Sequence, residues 1–500
     1  MSESSSTTSS AGTGGESAAS SPPALRRTLT VWEAIGVSIA LMAPSMAINI
    51  NPQGTAGLVG RAVPLAFLLA TVGVLLIAYT FVRLSQRFNH AGSVYGFVGA
   101  TLGARAGITA GWLNAATYVF YGVVTSMAAG IFVTELVDQF GIWPAPPTWA
   151  TFVFAWIALG VVWFLGSRPA KRGTLVLVVV EGVTIALILI VAVIVLGRLL
   201  AGDTPNGTSF DLSVFTVPEG TDLSTVFLGI VFGFLSFAGF EAAATLGEEA
   251  REPRRDIPRA ILGTAIFGGL FFVIVTAIEV MAFGTDAAGI ASFIDSGALI
   301  GDLANAWIAP WLGDVITVGA AVSAAACALA CIVGSSRLLF ALSRDGLGPR
   351  ALAHVHPRHG VPNRAVAAVV GLVALIEVIG LVLGAAPYDL FAIAGVTGTL
   401  VLLVAYLLAS IGAVRLLFFS GQTLVSRWEI VIPILGIAVL AYTLFRNVFP
   451  LPTEAAAWWG PGMAIAIVVV VLAVVVARPA AARRAGERLT ASEGLRSAAD

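Results

Sequence analysis

Charge is scarce in this chain. Of 500 residues only 11% are Asp, Glu, Lys or Arg, against 58% hydrophobic, and the mean hydropathy is +0.94. A soluble protein of this length needs far more charge to cover its surface, so that class is excluded. Lys171 is the only lysine among the 27 basic residues. The four histidines, His90, His354, His356 and His359, all lie outside the apolar runs. An enzyme working inside a bilayer therefore lacks metal-binding or general-base histidines. No GxxxxGK loop occurs, which removes ATP-driven transport within the chain, and no ring-forming filter sequence suggests a channel. The two cysteines, Cys327 and Cys331, lie four apart in one apolar run. They share a helix face and suit packing, with no neighbouring His or Lys to activate a thiolate.

Apolar runs of spanning length are abundant. They give an all-α polytopic membrane protein with twelve transmembrane helices. The runs are 33–50, 62–84, 106–137, 148–167, 174–199, 223–245, 259–284, 311–342, 364–384, 388–415, 428–449 and 457–477. Residues 1–30, rich in Ser, Thr, Gly and Ala, read as a disordered cytosolic tail without a cleavable signal. Residues 31–415 form the expected core, 416–478 the last two helices, and 479–500 a second cytosolic tail.

Basic residues set the orientation. With both termini cytoplasmic, 24 of the 27 fall inside, and only Arg61, Arg198 and Arg446 remain outside. A wrong span count would scramble this asymmetry. The outer loops at 200–222 and 285–310 carry only acids: Asp203, Asp211, Glu219 and Asp222, then Asp286, Asp295 and Asp302. Trp143, Trp149, Trp307, Trp311, Trp458 and Trp459 fall near the interfaces as an anchoring belt. The stretch 88–103 is too polar and glycine-rich to span, and is expected to lie along the inner surface. The loop 343–363, with His354, His356 and His359, reads as solvated.

Two spans look interrupted. The first, EAIGVSIALMAPSMAININPQG, has Pro44 in its middle, flanked by Ala43, Ser45 and Ala47. It turns polar at Asn49, Asn51 and Gln53, too soon for a complete lipid-facing helix. The sixth holds Gly233, Ser236, Ala238 and Gly239, followed at once by Glu241. Lipid tolerates an open helix only where its backbone lines a cavity. Amides at one half-helix N-terminus can hold a carboxylate, and carbonyls at the facing C-terminus can hold an ammonium. Broken helices 1 and 6 therefore predict a five-plus-five inverted repeat with a site for a zwitterion.

The stretch FLSFAGFEAAATLGEEAREPRRDIPRAI resembles the sixth helix and following loop of the amino acid–polyamine–organocation superfamily. Its pattern falls on Phe237, Gly239, Phe240, Glu241, Glu248, Glu249, Pro253, Arg255, Ile257 and Pro258. SSRLLFALSRDGLGP (Ser335–Pro349) is similar to that family's end of helix eight, and AGSVYGFVGATLG (Ala91–Gly103) to its loop between helices two and three. The resemblance covers residues 30–450 and implies alternating access, with an amino acid between the breaks of spans one and six. It assigns the substrate carboxylate to Ala43, Ser45, Met46 and Ala47, around Pro44. It assigns the ammonium to the carbonyls of Phe234, Leu235 and Phe237, beside Ser236, Ala238 and Gly239. The chain departs from the family in replacing the glycine-rich first break by Ala43–Pro44–Ser45–Met46. Leu235 stands where arginine–agmatine exchangers hold a gating tryptophan, and Thr184 falls near the position of a fifth-span lysine found in proton-coupled members.

Five acids lie in or at spans: Glu33, Glu181, Glu241, Glu279 and Glu377. Glu33 sits at a helix N-terminus and suits a cap. Glu279, one turn from the outer end of its span, is expected to be wet, and Glu377 to make a structural hydrogen bond or a partner contact. Glu181, close to Thr184, is the first candidate proton carrier and Glu241 the second. Thr184 and Ser323 could instead offer hydroxyls to sodium, the weaker alternative. Together with Tyr118, the break residues form a pocket without charge at the side-chain end. The expectation is a secondary amino acid transporter of the cytoplasmic membrane for neutral or apolar substrates, coupled to protons. A polyamine carrier or amino acid exchanger of the same fold is the alternative. No cofactor, catalytic residue, metal site or nucleic-acid partner is expected.

Overall fold

The computed structural model describes residues 30–88, 93–168, 173–205, 207–246, 250–344, 346–356, 360–421, 425–450, 455–480 and 483–484. The expected tails at 1–30 and 479–500, and Glu248 and Glu249 of the loop motif, lie almost wholly outside these residues. Sixteen helices follow one another among them. They are α1 (Val31–Met42), α2 (Pro44–Val59), α3 (Val63–Ser85), α4 (Ser93–Leu102), α5 (Ala104–Gln139) and α6 (Thr148–Gly166). Next come α7 (Gly173–Ala201), α8 (Leu223–Ser236), α9 (Pro253–Phe283), α10 (Ala287–Ile294) and α11 (Leu299–Trp307). The chain continues through α12 (Pro310–Arg344), α13 (Asn363–Val382), α14 (Pro387–Phe419), α15 (Val431–Val448) and α16 (Ala455–Ala477).

Ten helical stretches are long and apolar enough to cross a membrane, so the chain is a polytopic helical membrane protein. The first stretch, Val31–Ser85, holds α1, α2 and α3 together, and α8 is a shorter apolar helix. The longest helices, α5 and α12, pack on each other, with α14 against α5 and α3 against α9. Peripheral helices turn apolar side chains outward, among them Ile190 and Val193 on α7, Leu375 and Val382 on α13, and Val470 and Val476 on α16. In lipid such surfaces carry no penalty, which is why these helices need no amphipathic stripe.

Local signals place the ends. Thr30 and Glu33 form a reciprocal capping box at the start of α1, with Thr30 N–H donating to Glu33 Oε2 at 2.7 Å. Asp222 caps α8 by accepting from Thr225 N–H at 2.7 Å, and Asp286 caps α10 from Gly289 N–H at 2.9 Å. Helix α9 begins at Pro253, with Asp256 Oδ2 accepting from Glu252 N–H at 3.0 Å. The helix thus starts six residues, nearly two turns, before the expected 259, because Pro253 already supplies a preset first-turn φ.

The basic and acidic loops separate to opposite ends. Arg83, Gln86, Arg87 and Arg254 line one cleft of about 370 Å³, gathering the end of α3, the start of α9 and the segment before α15. Arg83 pairs there with Glu429, which also accepts from the Tyr79 hydroxyl at 2.7 Å. At the other end the two acidic loops meet, with Thr285 Oγ1 donating to Asp211 Oδ2 at 3.2 Å. Hydrogen bonds from Ser213 hold the Asp211 carboxyl below its usual range.

Three expectations change on packing. The stretch 88–103 contains a helix, α4, but Val94, Phe97 and Val98 are buried against the bundle rather than laid on its surface. Trp307 is 3% exposed, with the Arg198 guanidinium over its ring, so it is a core residue and not a belt anchor. Glu279 is fully buried rather than wet, because the 207–222 segment and α10–α11 fold over the end of α9. Asp211 N–H reaches Met281 Sδ, two residues further along, at 3.3 Å.

Candidate functional site

The first break lies at one residue. Met42 ends α1, Ala43 takes a left-handed conformation (φ 48°, ψ 54°), and Pro44 opens α2. Proline disfavours helical geometry in the residue before it and has no N–H to lose at a first-turn position. Left-handed alanine costs about 1–2 kcal/mol, so the surrounding packing must hold it. The span does not stop at Asn49 as its polarity suggested. Helix α2 continues to Val59, and Asn49, Asn51 and Gln53 are buried with partners: Asn51 Nδ2 donates to Ser236 Oγ at 2.7 Å.

The second break begins where α8 ends at Ser236. Phe237 N–H still reaches Gly233 O, then Gly239 takes φ +103° and a short 3-10 turn, Ala242–Leu246, follows. The two breaks touch. A Cβ on Gly239 would stand 3.2 Å from the Leu41 carbonyl carbon and 3.3 Å from Met42 N. Asn51 on α2 and Ser236 on α8 join them a second time through their hydrogen bond.

Around this junction the substrate-site residues named from sequence are buried: Ala43, Pro44, Ser45, Met46, Ala47, Phe234, Leu235, Ser236 and Phe237. Ala238, Gly239 and Tyr118 are half-buried. Phe237 stacks edge-on to Phe272 at 5.4 Å and crowds Gly268 together with Met42. Leu235 rests on Gly395, Phe234 on Gly73, and Tyr118 against Gly334. The carbonyls of Phe234, Leu235 and Phe237 each accept one turn hydrogen bond, from Phe237, Ala238 and Phe240. A carbonyl has a second lone pair, so these oxygens remain able to take an ammonium proton.

Glu181, on α7, meets the N-terminus of α2. Its Oε1 accepts from Ser45 N–H at 2.9 Å, and the side chain is 4% exposed. The hydroxyls of Ser45 and Ser323 lie near this carboxyl but outside hydrogen-bonding geometry. The amide assigned to a substrate carboxylate is thus already held by a carboxylate of the protein, and Ala47 N–H is taken by Ala43 O at 2.9 Å. Thr184, one turn along, donates to Val180 O at 2.9 Å and packs on Gly319 of α12. Glu241 lies beyond the second break. The Tyr406 hydroxyl lies toward it outside hydrogen-bonding geometry, and its Oε2 has no partner among the described residues. Glu377 accepts from Ser126 Oγ at 2.5 Å, the structural bond expected of it.

Sequence reasoning missed four contributors: Asn49 and Gln53 on α2, Tyr388, whose hydroxyl reaches Ile50 O at 3.4 Å, and Cys327, whose thiol donates to Leu41 O at 3.4 Å. The signal for the first two was present. Asn49 and Gln53 are four apart, hence on one helix face, in a run otherwise apolar enough to stay in the bilayer.

A family profile described as Amino acid permease matches residues 34–480. The chain belongs to this permease family. Its relatives include the low-affinity putrescine importer PlaP of Escherichia coli, 28% identical over 71% of this chain and 75% of that protein. An uncharacterized transporter of Mycobacterium tuberculosis is 28% identical over 86% of this chain and 88% of its own. The branched-chain amino acid permease BcaP of Bacillus subtilis is 25% identical over 67% and 69%. Membership makes the chain a transporter rather than an enzyme, and it contains both breaks within the matched range.

Proposed function

We propose that this permease moves neutral or apolar amino acids across the cytoplasmic membrane by alternating access, with both termini inside, driven by protons. Counting α1–α2 and α3 as separate spans, and α8 with its following turn as another, gives twelve. The breaks then fall in spans one and six, as a five-plus-five inverted repeat over residues 31–415 requires. The segregation of Arg83, Arg87 and Arg254 from the acidic loops supports the orientation.

The observation that carries the coupling is Glu181 on Ser45 N–H. An empty site keeps the α2 N-terminus satisfied with the protein's own carboxylate. A proton on Glu181 weakens its hold, and Ser45 N–H is released to the substrate carboxylate. Proton and amino acid then enter together, since neither the bare helix end nor a second buried anion is tolerated. The ammonium falls to the carbonyls of Phe234, Leu235 and Phe237, and the apolar side chains of Met42, Phe237 and Phe272 surround what remains. Glu241, behind the second break, is the second carrier. Sodium held by Thr184 and Ser323 is the weaker alternative: Thr184 Oγ1 donates its proton to Val180 O and keeps its lone pairs, but two hydroxyls fall short of the oxygen set a hard cation takes.

The second reading is an organocation carrier, favoured by the name of the E. coli relative and by Glu241, whose partnerless oxygen could meet a substrate amine. Uptake into proteoliposomes separates the two. Labelled leucine or valine should accumulate under an inward proton gradient and putrescine should not; putrescine uptake without amino acid uptake would reject the first reading.

A further inference from the structure

The start of α11 has no cap of its own. Its N-cap residue is Ala298, whose methyl cannot accept a hydrogen bond, so the amides of the first turn need an outside acceptor. Asn49 supplies it from α2. Its Oδ1 accepts from Ile300 N–H at 3.0 Å and from Gly301 N–H at 3.2 Å, the second and third residues of α11, where a capping side chain normally acts. The other end of the same amide reaches back: Asn49 Nδ2 donates to Ser45 O at 2.8 Å. Ser45 is the residue whose N–H is held by Glu181. One buried side chain thus ties the first break to a helix about 250 residues further along.

That helix is half of a hairpin. Helices α10 and α11 bend by 117° at the turn 295–298 and pack over α2, α7, α9 and α12 at the acidic-loop end. Gln53 holds the other limb, donating to Phe293 O at 3.4 Å and to Ser296 O. Among the described contacts Gln53 makes no bond to the break. Asn49 does.

We propose that Asn49 is a positioning residue that latches the α10–α11 hairpin to the first break, so that loss of the Glu181–Ser45 bond loosens the hairpin. The bonds run Glu181 carboxylate, Ser45 amide, Ser45 carbonyl, Asn49 carboxamide, α11 amides. If α2's first turn shifts when Glu181 lets go, the Asn49 side chain moves with it, and α11 loses its only cross-helix cap among the described contacts. The inference deepens the proton-coupled reading but needs neither substrate nor sidedness for its test, so the two can fail separately.

The test uses the full-length purified protein in detergent carrying Ala298→Cys, a fully buried site beside the latch. A charged thiol reagent is added and labelling at residue 298 is read by peptide mass, so Cys327 and Cys331 need not be changed. Asn49→Leu, which keeps the volume and removes both bonds, is expected to speed labelling about tenfold. Asn49→Asp keeps oxygens facing the α11 amides and loses only the donor to Ser45, so labelling should stay within about twofold of the parent. Glu181→Leu, which removes the acceptor for Ser45 N–H, should speed labelling about threefold in the parent and add nothing with Asn49→Leu or Asn49→Asp, the non-additivity of a linked set. Unchanged labelling in Asn49→Leu overturns the latch. Equal rates for Asn49→Leu and Asn49→Asp, or an undiminished Glu181→Leu effect in Asn49→Asp, overturn the relay.

Discussion

Gly239→Leu is expected to lower substrate affinity by at least about a hundredfold while the protein still folds and inserts. Two independent constraints meet at this residue. Its φ of +103° is a conformation that L side chains rarely adopt, at a cost of about 1–3 kcal/mol. A Cβ there would also stand 3.2 Å from Leu41 C, 3.3 Å from Leu41 O and 3.3 Å from Met42 N. These are backbone atoms of the last turn of α1, and they cannot rotate away as a side-chain tip can. A leucine must therefore push the two breaks apart or straighten the second one. Either outcome moves the carbonyls of Phe234, Leu235 and Phe237 relative to the α2 N-terminus, and misplacement by about 1 Å is enough to ruin a two-ended site. The bundle need not come apart, since the packing of α5 on α12, α5 on α14 and α3 on α9 does not run through Gly239. Binding measured by thermal shift or by scintillation proximity, beside a folding check by size exclusion, decides it. Retained affinity in folded Gly239→Leu protein would remove the second break from the site. Gly239→Ala should fall between, because the methyl meets the same backbone but needs no further space.

The two breaks were legible in sequence for a local reason. Helix interruption depends on residues within one turn: Pro44 with its small neighbours, and Gly239 with Ser236 and Ala238. Their contact was not legible, because nothing local says that Gly239 rests on Leu41. The polar residues after the first break were misread on the same grounds. Asn49 and Gln53 look like the end of a span when their partners are unknown, and those partners are main-chain groups of Phe293, Ser296, Ile300 and Gly301. Glu279 failed in the opposite direction. Its distance from the helix end was right, but the loop that covers that end is set by tertiary contacts such as Asp211 to Thr285. Burial of an acid is a property of what folds over it, and a hydropathy pattern carries no record of that. Glu181, an acid two turns inside a span, demands a partner of some kind, though the sequence did not indicate that the partner would be Ser45 N–H.

Glu181→Gln is expected to cut proton-driven accumulation at least tenfold, to background, while leaving substrate exchange within about twofold of the parent. The carboxamide keeps the shape and can still accept from Ser45 N–H, so the first break stays closed and the site stays formed. What disappears is the difference between two states of one group. In the parent, a charged Glu181 holds the α2 N-terminus, favoured by the helix dipole and a charge-assisted bond, and a neutral one holds it weakly. Glutamine has only the weak setting. Substrate carboxylate then competes against the same neutral partner on both sides of the membrane, so binding and exchange persist without any gain from a proton gradient. The signature is therefore a split. Counterflow of labelled amino acid survives, and accumulation no longer responds to external pH. Gradient-driven uptake unchanged from the parent would exclude Glu181 as the carrier and transfer the role to Glu241, the other buried acid beside a break. Loss of both exchange and accumulation would show instead that the charge on Glu181 is needed to build the site, which the 2.9 Å bond to Ser45 allows but the coupling scheme does not.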